Sequence, residues 1–294
     1  MANLKEIRTR IASVSSTMQI TSAMKMVSAS KFKRAQDAIV QIRPYANHLH
    51  SILSSLGDAL KDDEDNAYVK KKEEGKVLLV VITSNKGLCG GFNSSVIKKT
   101  VRLTQDEYKS QFQKKELDLF IVGKKASDFF KKTEMNIIDT KNEIYNDLTY
   151  DNASEISKDI IKRFVEGEYK HIELIYNQFK NAGVQILTNE QFLPIKIEES
   201  ADTSSKKTFT DYIFEPTKES LVKELIPKSL MLQFYKALLD SHASEHGARM
   251  TAMHKATDNA SDLLKEFKLD YNKARQASIT NEILEIVSGA NALG

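Results

Sequence analysis

Two histidines and a glutamate at helical spacing form the first motif in this sequence that could do chemistry. The segment His242-Ala-Ser-Glu245-His246 matches the H-x-x-E-H pattern of inverted zinc peptidases. Histidines at i and i+4 can reach one metal ion from one helix face, with the glutamate as general base. A zinc-dependent peptidase is therefore the alternative function that this motif supports, although its helix would have to lie in a catalytic domain that supplies a third ligand.

A glycine-rich segment is the second candidate. It reads Ser84-Asn-Lys-Gly-Leu-Cys-Gly-Gly-Phe-Asn93, follows a predicted strand and leads into a predicted helix. A nucleotide-binding fold holds phosphate at such a place. The glycine spacing matches neither G-x-G-x-x-G nor G-x-x-x-x-G-K-[ST], so we interpret the segment as a tight turn with close backbone packing and expect no bound nucleotide. No G-x-S-x-G supports a serine hydrolase site.

The elements that would carry these motifs are unusually long helices at both ends of the chain. Residues 228–288 contain no proline and a single glycine, Gly247. One helix over this range would measure about 90 Å at about 1.5 Å per residue, well beyond one domain's core. Residues 1–43 contain neither proline nor glycine, and Pro44 is the first predicted break.

Heptad spacing indicates that these two helices pair. From Leu4 the first frame is apolar at nine of twelve positions, and we expect a shifted stripe of Ile20, Met24 and Val27 to cover its polar interruption between Thr21 and Ser28. The frame runs through Leu4, Ile7, Ile11, Val14, Met18, Thr21, Lys25, Ser28, Phe32, Ala35, Ile39 and Ile42. The C-terminal frame runs through Met250, Met253, Thr257, Ala260, Leu264, Phe267, Tyr271 and Ala274, then resumes out of frame at Ile279, Ile283, Ile286 and Ala290.

The middle of the chain has a different period. Residues 76–83 form a continuous apolar run typical of a strand buried on both faces. Further strands are predicted at 117–122, 171–176, 184–187 and 212–214, with helices near 94–114, 124–132 and 152–166. This alternation predicts a mostly parallel α/β domain over 75–215, between a coiled-coil helix at 1–60 and another at 217–294.

Charge and composition narrow the function classes. The 294 residues carry a net charge of +3, but residues 1–43 hold eight basic and two acidic groups, net +6. A basic helix can bind nucleic acid, an anionic membrane or an acidic protein surface. Phe32 is the only aromatic before Tyr45, so the stacking platform of a nucleic-acid binder is missing. No apolar run reaches the length of a membrane span, and the single Cys89 excludes an internal disulfide.

Three segments together resemble the gamma subunit of the rotary, F-type ATP synthase in its bacterial form. They are Ile20-Thr-Ser-Ala-Met-Lys-Met-Val27 with Lys31, the glycine-rich segment 84–93, and Ala248-Arg-Met-Thr-Ala-Met253 with the terminal run 256–293. Within that run, Tyr271-Asn-Lys-Ala-Arg-Gln-Ala-Ser-Ile-Thr-Asn-Glu282 matches almost position for position. Departures are Gln19, where lysine is common, and His246, where glutamine is usual.

The resemblance implies a non-catalytic rotor. In that family an antiparallel coiled coil of the terminal helices turns inside a ring of three alpha and three beta subunits, and a Rossmann-like α/β domain forms a foot beside the membrane ring of c subunits. Ion-driven rotation is coupled to ATP synthesis or hydrolysis at the beta subunits. The expected partners are these subunits and the epsilon subunit, with one copy of this chain per complex, at the cytoplasmic face of the plasma membrane. No cofactor, metal or nucleic acid is implied.

The resemblance also implies two sets of contact residues. The beta subunits would be gripped by Arg275 and Gln276, with coupling tuned by Thr280, Glu282, Arg249 and Met24. The c ring would be contacted by Tyr212 and Glu215, with Arg43 and Tyr45 nearby. Chloroplast members of the family are regulated through a cysteine pair, and Cys89 has no partner cysteine in this chain.

Overall fold

The computed structural model describes residues 4–55, 67–68, 75–195 and 218–293. Its contacts divide the chain into two compact units, one formed by residues 1–29 and 249–294 and the other by residues 30–248. Two long helices contribute to both units: α1 (Leu4–Ser55) and α6 (Lys218–Leu293). None of the described helices is long and apolar enough to cross a membrane.

In the first unit, α1 and α6 pair antiparallel along the predicted heptad seam. Thr257 Oγ1 donates to Thr21 Oγ1 at 2.8 Å, and Arg8 Nη2 donates to the Tyr271 hydroxyl at 2.8 Å. Between these contacts the residue number rises by 13 along α1 and falls by 14 along α6, which is the register of an antiparallel pair. Ile7 is among the buried seam residues.

The expected shift of the stripe on α1 is wrong. Ile20 and Val27 are 60% and 58% exposed, whereas Thr21 and Ser28 of the original frame are buried. Both hydroxyls are hydrogen-bonded, because Thr21 donates to the Met18 carbonyl and Ser28 to the Met24 carbonyl. A buried hydroxyl with a partner costs little, so the frame continues through the polar residues without a shift.

The second unit is built on a five-stranded sheet in the order β3-β2-β1-β4-β5. The strands are β1 (Lys76–Ile82), β2 (Leu117–Val122), β3 (Asn136–Thr140), β4 (Tyr169–Asn181) and β5 (Val184–Leu193). The first four are parallel, and β5 returns antiparallel to β4. The sheet is therefore mostly parallel, as predicted.

Helices cover both faces of this sheet. Four helices follow the strands: α2 (Phe92–Gln105), α3 (Lys109–Gln113), α4 (Lys124–Phe130) and α5 (Tyr150–Val165), with a short 3-10 helix at Glu143–Asn146. Alternate residues of β1 point into two different cores, Leu79 with Val96 of α2 and Leu78 with Phe164 of α5 and Phe234 of α6. The continuous apolar run of β1 follows from this two-sided burial.

The predicted break of the first helix at Pro44 is wrong. Helix α1 continues through Pro44, and α6 begins at Lys218 and continues through Pro227. A proline inside a helix removes one backbone hydrogen bond and costs about 3 kcal/mol or more. Beside Pro227, Ile226 and Leu230 are fully buried in the core, and burial of two such side chains offsets a cost of this size at about 1.5–3 kcal/mol each.

Candidate functional site

The four C-terminal contact candidates lie together on one exposed stretch of α6. Arg275, Gln276, Thr280 and Glu282 are all solvent-exposed. Thr280 Oγ1 donates to the Gln276 carbonyl at 2.9 Å, and Ser278 Oγ donates to Glu282 Oε1 at 3.4 Å. These bonds leave the Arg275 guanidinium and the Gln276 amide facing solvent, where they can form multidentate hydrogen bonds with another protein.

The register of the helix pair explains this exposure. Arg8 contacts Tyr271, and each step toward the start of α1 corresponds to one step toward the end of α6. Leu4, the first described residue of α1, therefore lies level with about residue 275 of α6, at about 1.5 Å per residue. Beyond that level α6 continues for several turns in which every side chain described, from Ile279 to Asn291, is exposed.

Arg249 and Met24 form a separate group. Arg249 is buried and Met24 is half-buried. Along the axis of α6, Arg249 and Arg275 are about 39 Å apart at about 1.5 Å per residue. The structure therefore does not gather the six candidate residues into one site, but divides them between the paired part of the rod and its exposed end.

The candidate c-ring contacts are only partly described. Tyr45 lies in α1 with an exposed side chain. The backbone of Arg43 is helical, while its side chain lies outside the described part of the chain, as do Tyr212 and Glu215 and the strand predicted at 212–214.

The glycine-rich segment is a turn held by its own side chains. Ser84 N and Oγ both donate to Asn93 Oδ1, at 2.9 and 3.0 Å, and Asn93 Nδ2 donates to Cys89 Sγ at 3.2 Å. Asn85 links the turn outward, since Lys124 N donates to its Oδ1 at 2.9 Å and its Nδ2 donates to the Asn142 carbonyl at 2.7 Å. Ser84, Asn85 and Asn93 therefore use their polar groups to hold the turn.

The crevice at the carboxyl ends of the parallel strands is occupied by a side chain of the protein itself. In open α/β sheets ligands bind where the strand order reverses, which here is between the carboxyl ends of β1 and β4. Asn177 of β4 is buried there, donating from Nδ2 to the Phe92 carbonyl at 2.9 Å and accepting from Ser95 Oγ at 3.4 Å. A cofactor in this crevice would have to displace Asn177, which supports the interpretation of the glycine-rich segment as structural.

One glycine of the same region is required by packing. Gly123 joins β2 to α4 with a φ of +104°, and a Cβ built on it would lie 2.1 Å from the Thr83 carbonyl oxygen. No side chain fits at that distance. The close crossing allows Thr83 Oγ1 to accept from Ala126 N at 3.1 Å, which ties the end of β1 to the start of α4.

The two histidines of the H-x-x-E-H motif contact each other. His246 is buried, and its Nε2 lies 3.1 Å from Nε2 of His242, whose ring stacks on Tyr145 at 5.8 Å. Within the described ranges no group of three metal-ligating side chains could hold an ion. Burial, followed by the charge of Glu245, raises the pKa of Tyr145.

A second buried polar cluster lies on the α2 side of the sheet. Tyr108 donates its hydroxyl to Glu173 Oε1 at 2.7 Å, and His171 Nε2 lies 2.9 Å from the same oxygen. Burial raises the pKa of Glu173, but the hydrogen bonds from His171 and Tyr108 outweigh it and hold that pKa below its usual value. The cluster is a stabilising network whose carboxylate is ionised at neutral pH.

Comparisons with known proteins show which family this chain belongs to. A family model described as ATP synthase matches residues 3–293. A protein named ATP synthase gamma chain from Christiangramia forsetii is 57% identical over 293 residues, covering 100% of this chain and 99% of the relative. The protein of that name from Cytophaga hutchinsonii is 49% identical over 293 residues, with the same coverage. The chain belongs to the ATP synthase gamma chain family.

Solved structures show the same fold. The central stalk and c-ring structure of the Tetrahymena thermophila mitochondrial ATP synthase contains a chain with a TM-score of 0.57 and 27% identity, covering 81% of this chain and 99% of that one. A chain in the Euglena gracilis mitochondrial ATP synthase structure has a TM-score of 0.69, with 22% identity and coverage of 99% and 94%. As a member of the gamma chain family this protein is a non-catalytic subunit, and nothing supports the peptidase alternative.

Two cross-helix contacts of this gamma chain were missed by sequence reasoning. The heptad frames contain Thr21, Thr257 and Tyr271, but they do not reveal that Thr257 bonds to Thr21 or that the Arg8 guanidinium lies 5.7 Å from the Tyr271 ring centroid. An apolar stripe shows which face of each helix packs against the other, but it does not show which residues of the two helices lie opposite each other. Two threonines at seam positions, one on each helix, are the signal that could have fixed this register.

Proposed function

We propose that this chain is the central rotor shaft of a rotary ATP synthase, which couples ion-driven rotation of a membrane c ring to ATP synthesis and hydrolysis at the beta subunits. The observation that carries the proposal is the end of α6, which extends beyond the start of α1 with exposed apolar side chains. They are Ile279, Ile283, Leu284, Ile286 and Val287. An apolar patch of this kind marks a surface that another protein covers.

In this proposal the shaft consists of the segments 1–60 and 217–294, and the α/β domain over 75–215 is the foot. The shaft would stand in a ring of three alpha and three beta subunits, in one copy per complex. The foot would contact the c ring and the epsilon subunit, which keeps the chain at the periphery of the membrane on its cytoplasmic face. Family membership and the antiparallel two-helix rod support these assignments.

We assign the grip on the beta subunits to Arg275 and Gln276, with Thr280, Glu282, Arg249 and Met24 tuning it. Support comes from exposure, because the first four offer polar groups to solvent at the exposed end of the rod. Arg249 and Met24 are less exposed and lie far from the others, so we expect them to act through a separate contact. For the c ring we propose Arg43, Tyr45, Tyr212 and Glu215, of which Tyr45 has a described and exposed side chain.

The test is replacement of both Arg275 and Gln276 by alanine in the assembled complex. Loss of charge-assisted hydrogen bonds, each worth about 1.5–3 kcal/mol, should reduce ATP turnover by about tenfold or more. A matched control replaces Lys268 and Asn272, an exposed cation and amide on the paired part of the same helix. The control should retain most of its turnover.

Two further measurements complete the test. Circular dichroism of the isolated double variant should match the parent chain, since the replaced side chains are exposed and alanine favours a helix. Affinity purification of the tagged chain should recover alpha and beta subunits. Unchanged turnover in the Arg275 and Gln276 variant would refute the assignment of the grip, and failure to recover alpha and beta subunits would refute the rotor function itself.

A further inference from the structure

A groove of about 600 Å³ runs along the outer face of α2, on the side of the sheet opposite α5. Its floor is formed by the half-buried Ile97 and Val101, and Phe129 of α4 forms one wall. The Phe129 side chain is 43% exposed and makes a T-shaped contact with the buried Phe130, which holds its ring in place. An anchored but exposed aromatic ring beside an apolar floor is typical of the centre of a protein interface.

Two cations, Lys98 and Arg102, and one carboxylate, Asp106, line this groove, so its lining carries a net charge of +1. Lys98 and Arg102 stand one turn apart on α2 and are exposed. Neither of them forms an ion pair within the described part of the chain, although exposed cations such as Arg10, Lys162 and Lys265 pair with a carboxylate three or four residues away. These two charges are therefore available to a ligand.

The surrounding sequence is also basic. Residues 92–132, which include α2 and α4, contain ten basic and five acidic side chains, net +5, although the whole chain carries only +3. Positive potential around a groove attracts an acidic partner and speeds its association. Ile97 and Val101 lie about 6 Å apart along α2 at about 1.5 Å per residue, and with Phe129 they form an apolar surface that can receive one or two turns of a helix. A membrane-binding surface would instead need its apolar residues to protrude.

We propose that the groove between α2 and α4 binds an acidic amphipathic helix of a partner protein. Leucine-like side chains spaced at i, i+3 or i+4 would pack on Ile97, Val101 and Phe129. Carboxylates flanking that stripe would pair with Lys98 and Arg102. This groove would be a docking surface on the foot of the proposed rotor. The proposal rests on the rotor function only in that it places the partner protein within the assembled synthase.

The chemistry can be tested on the full-length chain with a defined probe. The probe is a labelled helical peptide with leucines along one stripe and glutamates beside it, and its binding is followed by fluorescence anisotropy. Lys98→Glu with Arg102→Glu should weaken binding by about tenfold or more, because both pairing cations become repulsive. Lys158→Glu with Lys162→Glu makes the same charge change at the same spacing on α5, and should leave binding within about threefold of the parent.

Three outcomes would overturn the proposal. The first is no binding of the peptide, and the second is equal weakening by both pairs of reversals, which would indicate unspecific attraction. The third is binding to phosphatidylglycerol vesicles, abolished by the Lys98 and Arg102 reversals, by a chain that does not bind the peptide. That result would assign the groove to a lipid surface.

A cross-linking experiment identifies the partner in the assembled complex. The photoreactive amino acid p-benzoylphenylalanine is placed at position 129, and as a control at position 165, where Val165 has the same exposure of 43%. We expect a cross-link from position 129 alone to a partner segment with acidic residues and helical apolar spacing. No cross-link from a complex that retains its alpha and beta subunits would refute the groove proposal and leave the rotor function standing, whereas loss of those subunits from the parent complex would count against the rotor function.

Discussion

Gly247 provides a sharp test of how α6 packs on the sheet. It lies inside α6, where glycine is unfavourable by about 1 kcal/mol relative to alanine. A Cβ built at this position would lie 3.1 Å from the Ala182 carbonyl oxygen, 3.2 Å from the Ala182 Cα and 3.4 Å from Phe32 Cε2. Two of these three neighbours are backbone atoms of the β4–β5 turn, which cannot rotate away as a side chain can.

The two effects of Gly247→Ala therefore oppose each other. Helix propensity favours the variant by about 1 kcal/mol. Forcing a methyl group into a packed contact costs about 1–3 kcal/mol, and the fixed backbone of Ala182 places the cost in the upper part of that range. We expect a net loss of about 1–2 kcal/mol in the free energy of unfolding, which would lower the melting temperature by about 2–8 °C at about 2–4 °C per kcal/mol.

Gly289→Ala is the matched control. It makes the same substitution in the same helix, where a Cβ would meet nothing within 4 Å. This variant should be neutral or more stable by up to about 1 kcal/mol. Both variants are compared with the parent by urea unfolding of the full chain, followed by far-ultraviolet circular dichroism. If Gly247→Ala stabilises the chain as much as Gly289→Ala does, the close approach of α6 to Ala182 is wrong.

Two further predictions concern buried polar contacts. Thr257→Val should lower the free energy of unfolding by about 1 kcal/mol, because it removes the hydrogen bond to the Thr21 hydroxyl. Adding Thr21→Val should restore part of the loss, as measured by a double-mutant cycle in urea. Strict additivity of the two substitutions would contradict the contact. Glu173 has a lowered pKa, so its ionised form stabilises the fold above the unfolded value of about 4.5, and this contribution is lost as the pH falls through the folded pKa. Glu173→Gln should therefore flatten the pH dependence of the unfolding free energy below about pH 4.5, and an unchanged pH profile would exclude the bonds from Tyr108 and His171.

The strands of the sheet show which parts of the fold could be predicted from the sequence. The prediction for β2, residues 117–122, agrees with the structure at both ends, and β1 ends one residue earlier than predicted. Both strands are buried on two faces, so their apolar runs begin and end with the strand itself. β3 was not predicted, because its Asn-Ile-Ile-Asp-Thr sequence at the sheet edge is only half-buried and contains no apolar run.

Long-range pairing explains the remaining differences in the sheet. β4 was predicted at 171–176 and extends to Asn181 through the polar residues Asn177, Gln178 and Lys180. These residues are held in the strand by antiparallel pairing with β5, including Phe179 opposite Gln185. A pairing partner elsewhere in the chain leaves no periodic signal in the strand, so its length could not be predicted locally.

The candidate site shows the same limit. The family resemblance implied the polar set Arg275, Gln276, Thr280 and Glu282, while the heptad spacing identified the seam and the apolar residues from Ile279 onward. Exposure of these sets could not be predicted from the sequence, because it depends on which residue of α6 lies level with Leu4. That level follows from individual contacts such as Arg8 with Tyr271, which set the register of the two helices.

In the proposed function, the exposed end of α6 would both stabilise the shaft in its surrounding ring and allow it to rotate. Its five large apolar side chains between Ile279 and Val287 are 48–71% exposed, and burying each would contribute up to about 1.5–3 kcal/mol. The hydrophobic effect has no directional requirement, so a surrounding apolar sleeve could retain much of this energy at every angle of the shaft. Hydrogen bonds from Arg275 and Gln276 to a beta subunit would require defined geometry, so in the proposed function they would form at some angles of the shaft and break at others. In this proposal, the apolar side chains between Ile279 and Val287 give an interaction that varies little with the angle of the shaft, and the hydrogen bonds of Arg275 and Gln276 give one that varies strongly. This combination would hold the shaft in place while it acts on one beta subunit at a time.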